Sequence, residues 1–273
     1  MKKFFFLILI SFELQAAFEI SHTEAFSGGL VNSTVATKNF FSAFLLNPAV
    51  TAVIPTFNVG LSYFRPFGIT ELNCGNFISN FRFKDIGFGF SVTNLGNEIY
   101  RENRFTWNIS RHLLTHKMLL GMNLNWYTIR VENYQSAQAI GMDVGMQYAI
   151  NPDLLVAMSV QNVNNPSLLH HRNELPVVFN LGLAVYFDDK FCSNIAFRKD
   201  AWLPASLHFG ISYQANTSFI LHSGLHTDPT IPTVGFSFKR KGVAIHYALH
   251  YHFSLGATHL WGLSFTYKQN DSR

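Results

Sequence analysis

Histidine is the residue type that offers most chemistry in the last quarter of this sequence. Five histidines lie on stretches in which apolar and polar residues alternate: His222, His226, His246, His250 and His252, with His208 not far away. Because alternate side chains of a strand share one face, these histidines are predicted to point to the same side of a sheet. Imidazole is a common metal ligand and titrates near neutral pH. One hypothesis is a metal or pH-sensitive site; the other is that the histidines are bulky polar groups that fill an interior.

Catalysis has little support in the sequence. Asp143 is a single carboxylate on an otherwise neutral face, which predicts a hydrogen-bond acceptor. Arg101, Glu102 and Arg104 are close together at the end of a predicted strand, where we expect solvent. No cluster resembles a nucleophile with its base, and no phosphate loop or paired-cysteine metal motif is present. We therefore expect no enzyme activity, no catalytic residue, no cofactor and no bound metal.

The face that carries the histidines belongs to a pattern that repeats along most of the chain. From Val243 to Phe253 the odd positions are Val, Ile, Tyr, Leu, Tyr and Phe, and the even positions are Ala or His. Phe179 to Phe187 and Trp261 to Tyr267 alternate in the same way. The polar positions hold Gly, Ser, Asn and His with almost no Lys or Glu, which suits an enclosed lumen better than bulk water. Strands that cross an outer membrane are apolar outward and polar inward.

Composition also favours a β-protein that faces lipid. Charged residues make up 13% of the chain, against about 25% in ordinary soluble domains. No stretch has the roughly 20 apolar residues of a membrane-spanning helix. The net charge of +4 is spread thinly, so we expect membrane lipid and not nucleic acid as a partner. A soluble exported β-sandwich is the alternative fold.

Residues 1–17 predict a secretory signal peptide. Lys2 and Lys3 precede an apolar block that is too short to span a bilayer, and Ala16 and Ala17 provide a cleavage site. An exported protein can pair its cysteines, Cys74 and Cys192. We expect two unpaired thiols that serve as small strand residues instead.

The alternation predicts an all-β fold: a transmembrane antiparallel up-and-down β-barrel of about fourteen strands within residues 58–273. An even strand number is usual for single-chain bacterial barrels, and closure leaves no unpaired edge in lipid. Short turns alternate with longer connections, as expected if both chain ends lie in the periplasm. The predicted strands are 58–64, 69–82, 86–93, 98–111, 117–131, 138–150, 154–163, 176–188, 190–199, 203–214, 217–226, 231–239, 242–253 and 258–268.

Residues 18–57 precede the strands, do not alternate, and are predicted to form an N-terminal plug. The motif Asn47-Pro48-Ala49 suits a turn inside a barrel, because proline fixes φ and the asparagine side chain can bond turn backbone. A ring of fourteen strands is wider than one of eight, which side chains alone can fill. The alternative is a disordered leader, but Phe44 and Leu45 are more apolar than such leaders usually are.

Four stretches together resemble the FadL-like outer-membrane family, and more closely its PorV/PorQ branch. They are Asn47-Pro48-Ala49, Glu174 to Phe187, Gly224 to Phe238 and Ile245 to Tyr267. The last strand also resembles the signal that the outer-membrane assembly machinery reads. One departure is His246, which stands where the branch has an aspartate.

The resemblance implies a place in the outer membrane of a Gram-negative-type bacterium and two functions. PorV and PorQ are accessory barrels of type IX-like protein secretion, with a translocon or a surface cargo protein as partner, and this is the function we expect first. FadL proper imports hydrophobic small molecules through a plugged barrel with a lateral opening, which is the alternative. A purely structural barrel is the third possibility.

Overall fold

A computed structural model of the chain describes residues 18, 24–38, 40–54, 57–113, 117–134, 136–168 and 174–267. The predicted signal peptide lies outside these residues, and so do 268–273. Among the helices of the described residues, none has the length and apolar character needed to traverse a bilayer.

The described residues form a closed antiparallel ring of fourteen strands in which each strand pairs with its neighbours in sequence. The ring closes where β1 pairs with β14, with Phe57 opposite Tyr267 and Phe64 opposite Leu260. The strands are β1 Phe57–Phe64, β2 Asn73–Phe83, β3 Ile86–Gly96, β4 Tyr100–Leu113, β5 Met118–Val131, β6 Ala137–Asn151, β7 Leu154–Gln161, β8 Val178–Tyr186, β9 Phe191–Asp200, β10 Ser206–Gln214, β11 Phe219–Thr227, β12 Thr230–Arg240, β13 Val243–His252 and β14 Gly256–Tyr267.

Strand alternation produces an apolar outer wall and a polar inner wall. On β5, Leu124 and Trp126 are exposed, whereas Asn123 and Asn125, which alternate with them, are completely buried. The predicted all-β barrel is therefore confirmed, and the soluble sandwich is wrong. The largest difference in strand bounds is at β2, which begins at Asn73 and not at 69, because Pro66–Gly68 forms a 3-10 turn after β1.

The two ends of the barrel differ in their connections. One end, the turn end, has tight turns such as Lys84-Asp85 and Lys241-Gly242, in which Lys84, Lys241 and Gly242 have positive φ. The other end, the loop end, carries the longer connections, including 162–177 between β7 and β8. β1 begins and β14 finishes at the turn end, as predicted. The predicted alternation of short and long connections has one clear exception, because the loop-end connection between β11 and β12 is only Asp228-Pro229.

Residues 24–38 and 40–54, the N-terminal segment, lie inside the ring. The segment contains one short helix, α1 (Ala25–Gly29), and the 3-10 helices Thr34–Ala36, Ala43–Leu45 and Pro48–Val53. Most of its side chains are buried, and those of Phe44, Leu45 and Val50 are almost completely so. It approaches inward-facing positions on opposite sides of the ring, from β5 to β14.

Cys74 on β2 and Cys192 on β9 are both buried and both unpaired. The interpretation of the two cysteines as small strand residues without a disulfide is therefore confirmed.

Asp143 on β6 accepts hydrogen bonds from several side chains of the inner wall. Its Oδ2 lies 3.3 Å from Arg104 Nη2, 3.1 Å from Asn123 Nδ2 and 2.8 Å from Asn125 Nδ2. The expectation that Glu102 and Arg104 lie in solvent is wrong: both are buried, because even-numbered positions of β4 face the lumen, and only Arg101 is exposed.

We predict that Asp143→Ala lowers the free energy of unfolding by about 3 kcal/mol, because it removes the acceptor that one guanidinium and two amides share. Asn194→Ala is the matched control, since Asn194 is equally buried but donates only to Cys192 Sγ at 3.6 Å. The measurement is the temperature at which the folded band converts to the unfolded band on detergent gels. Equal temperatures for the two variants would contradict the prediction.

Candidate functional site: the lumen and its N-terminal segment

The lumen wall supplies hydrogen bonds to the backbone of the N-terminal segment. A buried segment with little regular structure has carbonyl groups that need donors from elsewhere. Side chains of the wall reach these carbonyls from many strands: Thr233 to Gly29 O at 2.9 Å, Asn123 to Phe44 O at 3.0 Å, Gln161 to Leu45 O at 3.0 Å, Ser159 to Leu46 O at 2.6 Å and Asn108 to Pro48 O at 2.9 Å. The polar face of the strands is therefore a set of donors for this one segment.

The Asn47-Pro48-Ala49 motif lies at the centre of these contacts. Asn47 is completely buried and caps the 3-10 helix Pro48–Val53, accepting from Ala49 N at 3.1 Å. Its amide nitrogen donates to Val35 O at 2.9 Å and to Met146 O on β6 at 3.2 Å. One side chain thus begins the helix, holds two parts of the segment together and fixes both to the wall.

Inward-facing glycines make room for the segment where it touches the wall. A Cβ added at Gly121 of β5 would lie 2.6 Å from Ala49 N, and one at Gly145 of β6 would lie 2.7 Å from Pro48 Cδ. A Cβ at Gly182 of β8 would lie 2.7 Å from Val35 Cβ. Real Cβ atoms do not approach this closely, so the segment fits only because these positions lack side chains. The sequence pattern showed the glycines on the polar face but not what they contact.

Two histidines of the inner wall hold the part of the segment around α1. His250 Nε2 donates to Gly28 O at 2.8 Å, and His208 Nδ1 donates to Val31 O at 2.6 Å. Since a carbonyl only accepts, each of these ring nitrogens must carry the proton. The ring of His226 lies against that of His208, with centroids 4.3 Å apart.

The remaining histidines have other partners. His222 Nε2 and His246 Nδ1 both bond Ser237 Oγ, at 2.9 and 2.7 Å, and His246 Nε2 bonds Ser264 Oγ at 2.8 Å. His252 lies at the loop end and accepts from the backbone after β13, at Leu255 N. In the part of the chain that the structure describes, no group of three or more His, Cys, Asp or Glu is placed to hold a metal ion. The histidines bond serine hydroxyls and backbone groups instead of converging on one point.

Glu24 is a buried acid that sequence reasoning did not single out. It caps α1, and its Oε1 accepts from Ser27 N at 2.6 Å. Burial raises the pKa of this carboxyl to about 7, although backbone hydrogen bonds from Ser27 and Phe26 act in the opposite direction. The sequence signal for this role is a charged residue directly before the uncharged stretch 25–37.

A cavity of about 440 Å³ lies at the loop end, between the N-terminal segment and the wall. Val31 of the segment, Tyr127 of β5, Leu175 and Ile231 contribute an apolar lining. Leu203 also lines it and is 53% exposed, so the cavity reaches the barrel rim. A smaller cavity of about 130 Å³ shares Ile231 and His250 with it.

Polar groups lie on another part of the same cavity wall. They include Arg104, Arg198 and Asp200, together with His208 and His250. Arg104 also lies over the ring of Tyr127, with the guanidinium carbon 5.2 Å from the centroid. The cavity therefore offers an apolar surface on one part of its wall and many polar and charged groups on the rest.

The strands pair all the way round the ring. The one register shift in the ladders of the described residues is between Ala149 and Asn151 of β6, at the turn end. The lateral opening that the family resemblance implies is therefore not formed by the described strands in this arrangement.

These features define a class of protein: a fourteen-strand barrel of the outer-membrane type, with a lumen occupied by its own N-terminal segment. No protein-family model and no curated protein matches the chain. Solved structures with this fold do match. The CymD monoaromatic hydrocarbon channel has a TM-score of 0.75 at 12% identity, covering 94% of this chain and 100% of its own.

Two further structures have the same fold. A Pseudomonas aeruginosa FadL homologue has a TM-score of 0.64 at 11% identity, covering 90% of this chain and 98% of its own. The Pseudomonas putida toluene transporter TodX has a TM-score of 0.60 at 11% identity, covering 90% and 96%. The FadL-like barrel fold is therefore shown, whereas these structures give no support to the PorV/PorQ branch.

We predict that Gly121→Val weakens the docking of the N-terminal segment by about 1–3 kcal/mol, since the new side chain overlaps the backbone at Pro48 and Ala49. Hydrogen exchange of the amides in Pro48–Val53 should become faster while β5 stays protected. Gly75→Val is the matched control, because a Cβ there meets no atom within 4 Å. Equal exchange in both variants would show that the close fit has no energetic consequence.

The pKa of Glu24 predicts that docking of the segment weakens as pH rises. When the segment is docked, the pKa of the Glu24 carboxyl is raised from 4.5 to about 7. The carboxyl therefore binds its proton more tightly in the docked segment than in the released segment. Docking is therefore strongest below about pH 4.5, weakens as pH rises to 7, and is about 3 kcal/mol weaker above that.

The measurement is protease cleavage of the segment at about pH 5 and about pH 8, expressed as the ratio of the wild-type rate to that of Glu24→Gln. The neutral variant removes the titration but keeps the shape, and the ratio cancels the pH dependence of the protease. A ratio that does not increase with pH would refute the role of Glu24.

Proposed function

We propose that this protein resides in the outer membrane, where it is a channel for small hydrophobic molecules and its N-terminal segment is the plug. The observation that carries the proposal is the cavity at the loop end, bounded on one side by the segment and on the other by the barrel wall. A solute that enters from the cell surface reaches this cavity before it reaches the bonded part of the segment.

The size of the cavity and the apolar part of its lining support a small, largely apolar solute. A volume of about 440 Å³ lies at the small end of the range for ligand sites, about 300–1,000 Å³. The apolar part of the lining comes from Val31, Tyr127, Leu175 and Ile231. Burial of apolar surface is the main source of binding energy for such a solute.

The structural neighbours support the same function by analogy. CymD is described as a monoaromatic hydrocarbon channel and TodX as a toluene transporter. Transport of hydrophobic molecules was the alternative function that the sequence resemblance implied. The secretion function that we expected first has no comparable support from the neighbours or from the cavity.

Transport through the lumen requires the plug to move. The segment fills the ring below the cavity, and residues such as Phe44 and Ala49 have no exposed surface. Its contacts are individual hydrogen bonds from side chains of the wall and not a continuous β-ladder. We therefore take this arrangement as the closed state of the channel.

A disulfide between the plug and the wall tests the function. A Cβ added at Gly29 would lie 3.6 Å from Ala248 Cβ on β13, within the range of disulfides, about 3.5–4.5 Å. We predict that oxidised Gly29→Cys/Ala248→Cys reduces the initial uptake of radiolabelled toluene by intact cells to the level of cells without the protein. A reducing agent should restore the uptake, because the reduced plug is free to move.

The two single variants and the parent, all treated with the same oxidant, are the controls, and non-reducing gels verify the cross-link. Unchanged uptake by the cross-linked protein would refute a moving plug. A parent that gives no faster uptake than cells without the protein would refute hydrocarbon transport. A deletion strain that loses surface proteins but keeps its uptake would support secretion instead.

A further inference from the structure

Two arginines stand side by side on the outer wall at the loop end. Arg101 of β4 lies directly opposite Arg130 of β5 in the register of the two strands. Directly opposite residues of an antiparallel pair share one face of the sheet. Both side chains are exposed, whereas Glu102 and Tyr127, at inward positions of the same strands, are buried. The arginines therefore project away from the lumen.

This placement is unfavourable unless an anion is nearby. Like charges directly opposite each other on two strands repel. In the described part of the chain, neither Arg101 nor Arg130 is within ion-pair distance of a carboxylate. Glu98 and Glu132 are close in sequence, at the tips of the neighbouring connections, but neither forms such a pair. The protein thus leaves two guanidinium groups on its outer wall for an external partner.

The surface below the arginines changes from polar to aromatic over a few residues. Asn103 accepts from Asn94 at 2.7 Å and donates to Thr128 at 3.2 Å, which forms a polar row across β3, β4 and β5. The next outward positions, Phe105 and Trp126, stack with their ring centroids 5.2 Å apart. Aromatic girdles mark the boundary between acyl chains and headgroups in outer-membrane barrels.

The distance along the strands places the arginines at headgroup level. Arg101 and Arg130 are each four residues from the aromatic pair, which is about 13 Å along a strand before tilt is considered. The outward side chains thus match the parts of a lipid molecule along the strands. Phe105 and Trp126 lie at the level of its acyl chains, and the two arginines lie at the level of its headgroup.

We propose that Arg101 and Arg130 bind the phosphate of a lipid headgroup in the outer leaflet. Guanidinium groups bind phosphate through paired charge-assisted hydrogen bonds. Within the described residues, neither Arg101 nor Arg130 forms an ion pair that would compete with the phosphate. The polar row at Asn103 and Thr128 contacts the rest of the headgroup, and the stacked rings contact its acyl chains. The site rests on the proposed membrane location but not on transport.

The test compares binding of diphosphoryl lipid A to detergent-purified protein with and without the arginines. We expect Arg101→Gln/Arg130→Gln to bind at least about tenfold more weakly, which corresponds to one or two charge-assisted hydrogen bonds. Monophosphoryl lipid A should show a smaller difference between the two proteins. Inorganic phosphate should not compete at the same concentration, because it lacks the acyl chains.

The matched control is Arg65→Gln/Lys199→Gln, which removes two other exposed cations near the loop end. Arg65 Nε is bonded to Tyr63 Oη at 2.7 Å and Lys199 Nζ to Leu203 O at 2.6 Å, so both already have partners. Their removal should leave lipid A affinity within about twofold.

If Arg65→Gln/Lys199→Gln lost as much lipid A affinity as Arg101→Gln/Arg130→Gln, general charge attraction would explain the binding and the site would be refuted. Unchanged lipid A affinity in Arg101→Gln/Arg130→Gln would also refute the site. Competition by inorganic phosphate at equal concentration would show a free-anion site instead. Gel mobility before and after heating verifies that each variant folds. Toluene uptake should be the same in Arg101→Gln/Arg130→Gln as in the parent, which separates this inference from the channel function.

Discussion

The structure depends on one constraint: an irregular segment buried inside a barrel must have its backbone carbonyls satisfied by the wall. Asn108, Asn123 and Ser159 do this at every second residue of one stretch of the segment, donating to the carbonyls of Pro48, Phe44 and Leu46. Neutral donors suit the task, because burying an amide or hydroxyl that finds its partner costs far less than burying a charge. This explains why the inner wall is rich in Asn, Ser and His and almost free of Lys. The low charge of the whole chain follows from an outer wall in lipid and an inner wall against backbone.

The inner wall must also leave space for the segment. Glycines provide this space, and asparagines provide the hydrogen bonds. On β5, Gly121 admits the backbone at Pro48, while Asn123, two residues further along the same face, donates to Phe44 O. On β6, Gly145 admits Asn47, and Asp143 on the same face accepts from the neighbouring amides. Steric fit and hydrogen bonding are thus set by alternate inward positions of single strands. A change at either type of position alters how the segment docks without altering the outer wall.

The barrel could be predicted from the sequence because strand alternation is a local property. Whether a side chain points inward or outward depends on whether its position in the strand is odd or even. Parity also placed His246 and His250 on the inner wall. It could not show that His250 meets Gly28 O, since that pairing joins residues more than two hundred positions apart. The prediction for Arg104 was wrong because it followed the charge of the side chain, which suggested solvent. The even-numbered position of Arg104 on its strand indicated the lumen instead. The short family motifs indicated the fold but did not distinguish its branches.

The cavity and the segment are physically coupled through shared side chains. His208 and His250 line the cavity and also donate to the carbonyls of Val31 and Gly28. Each such bond contributes about 0.5–1.5 kcal/mol, so a few of them hold this part of the segment without fixing it permanently. A ligand shifts docking only if it binds the docked and released arrangements with different affinity. Val31 would create that difference under the proposed movement of the segment, because it is part of the cavity lining in the docked arrangement.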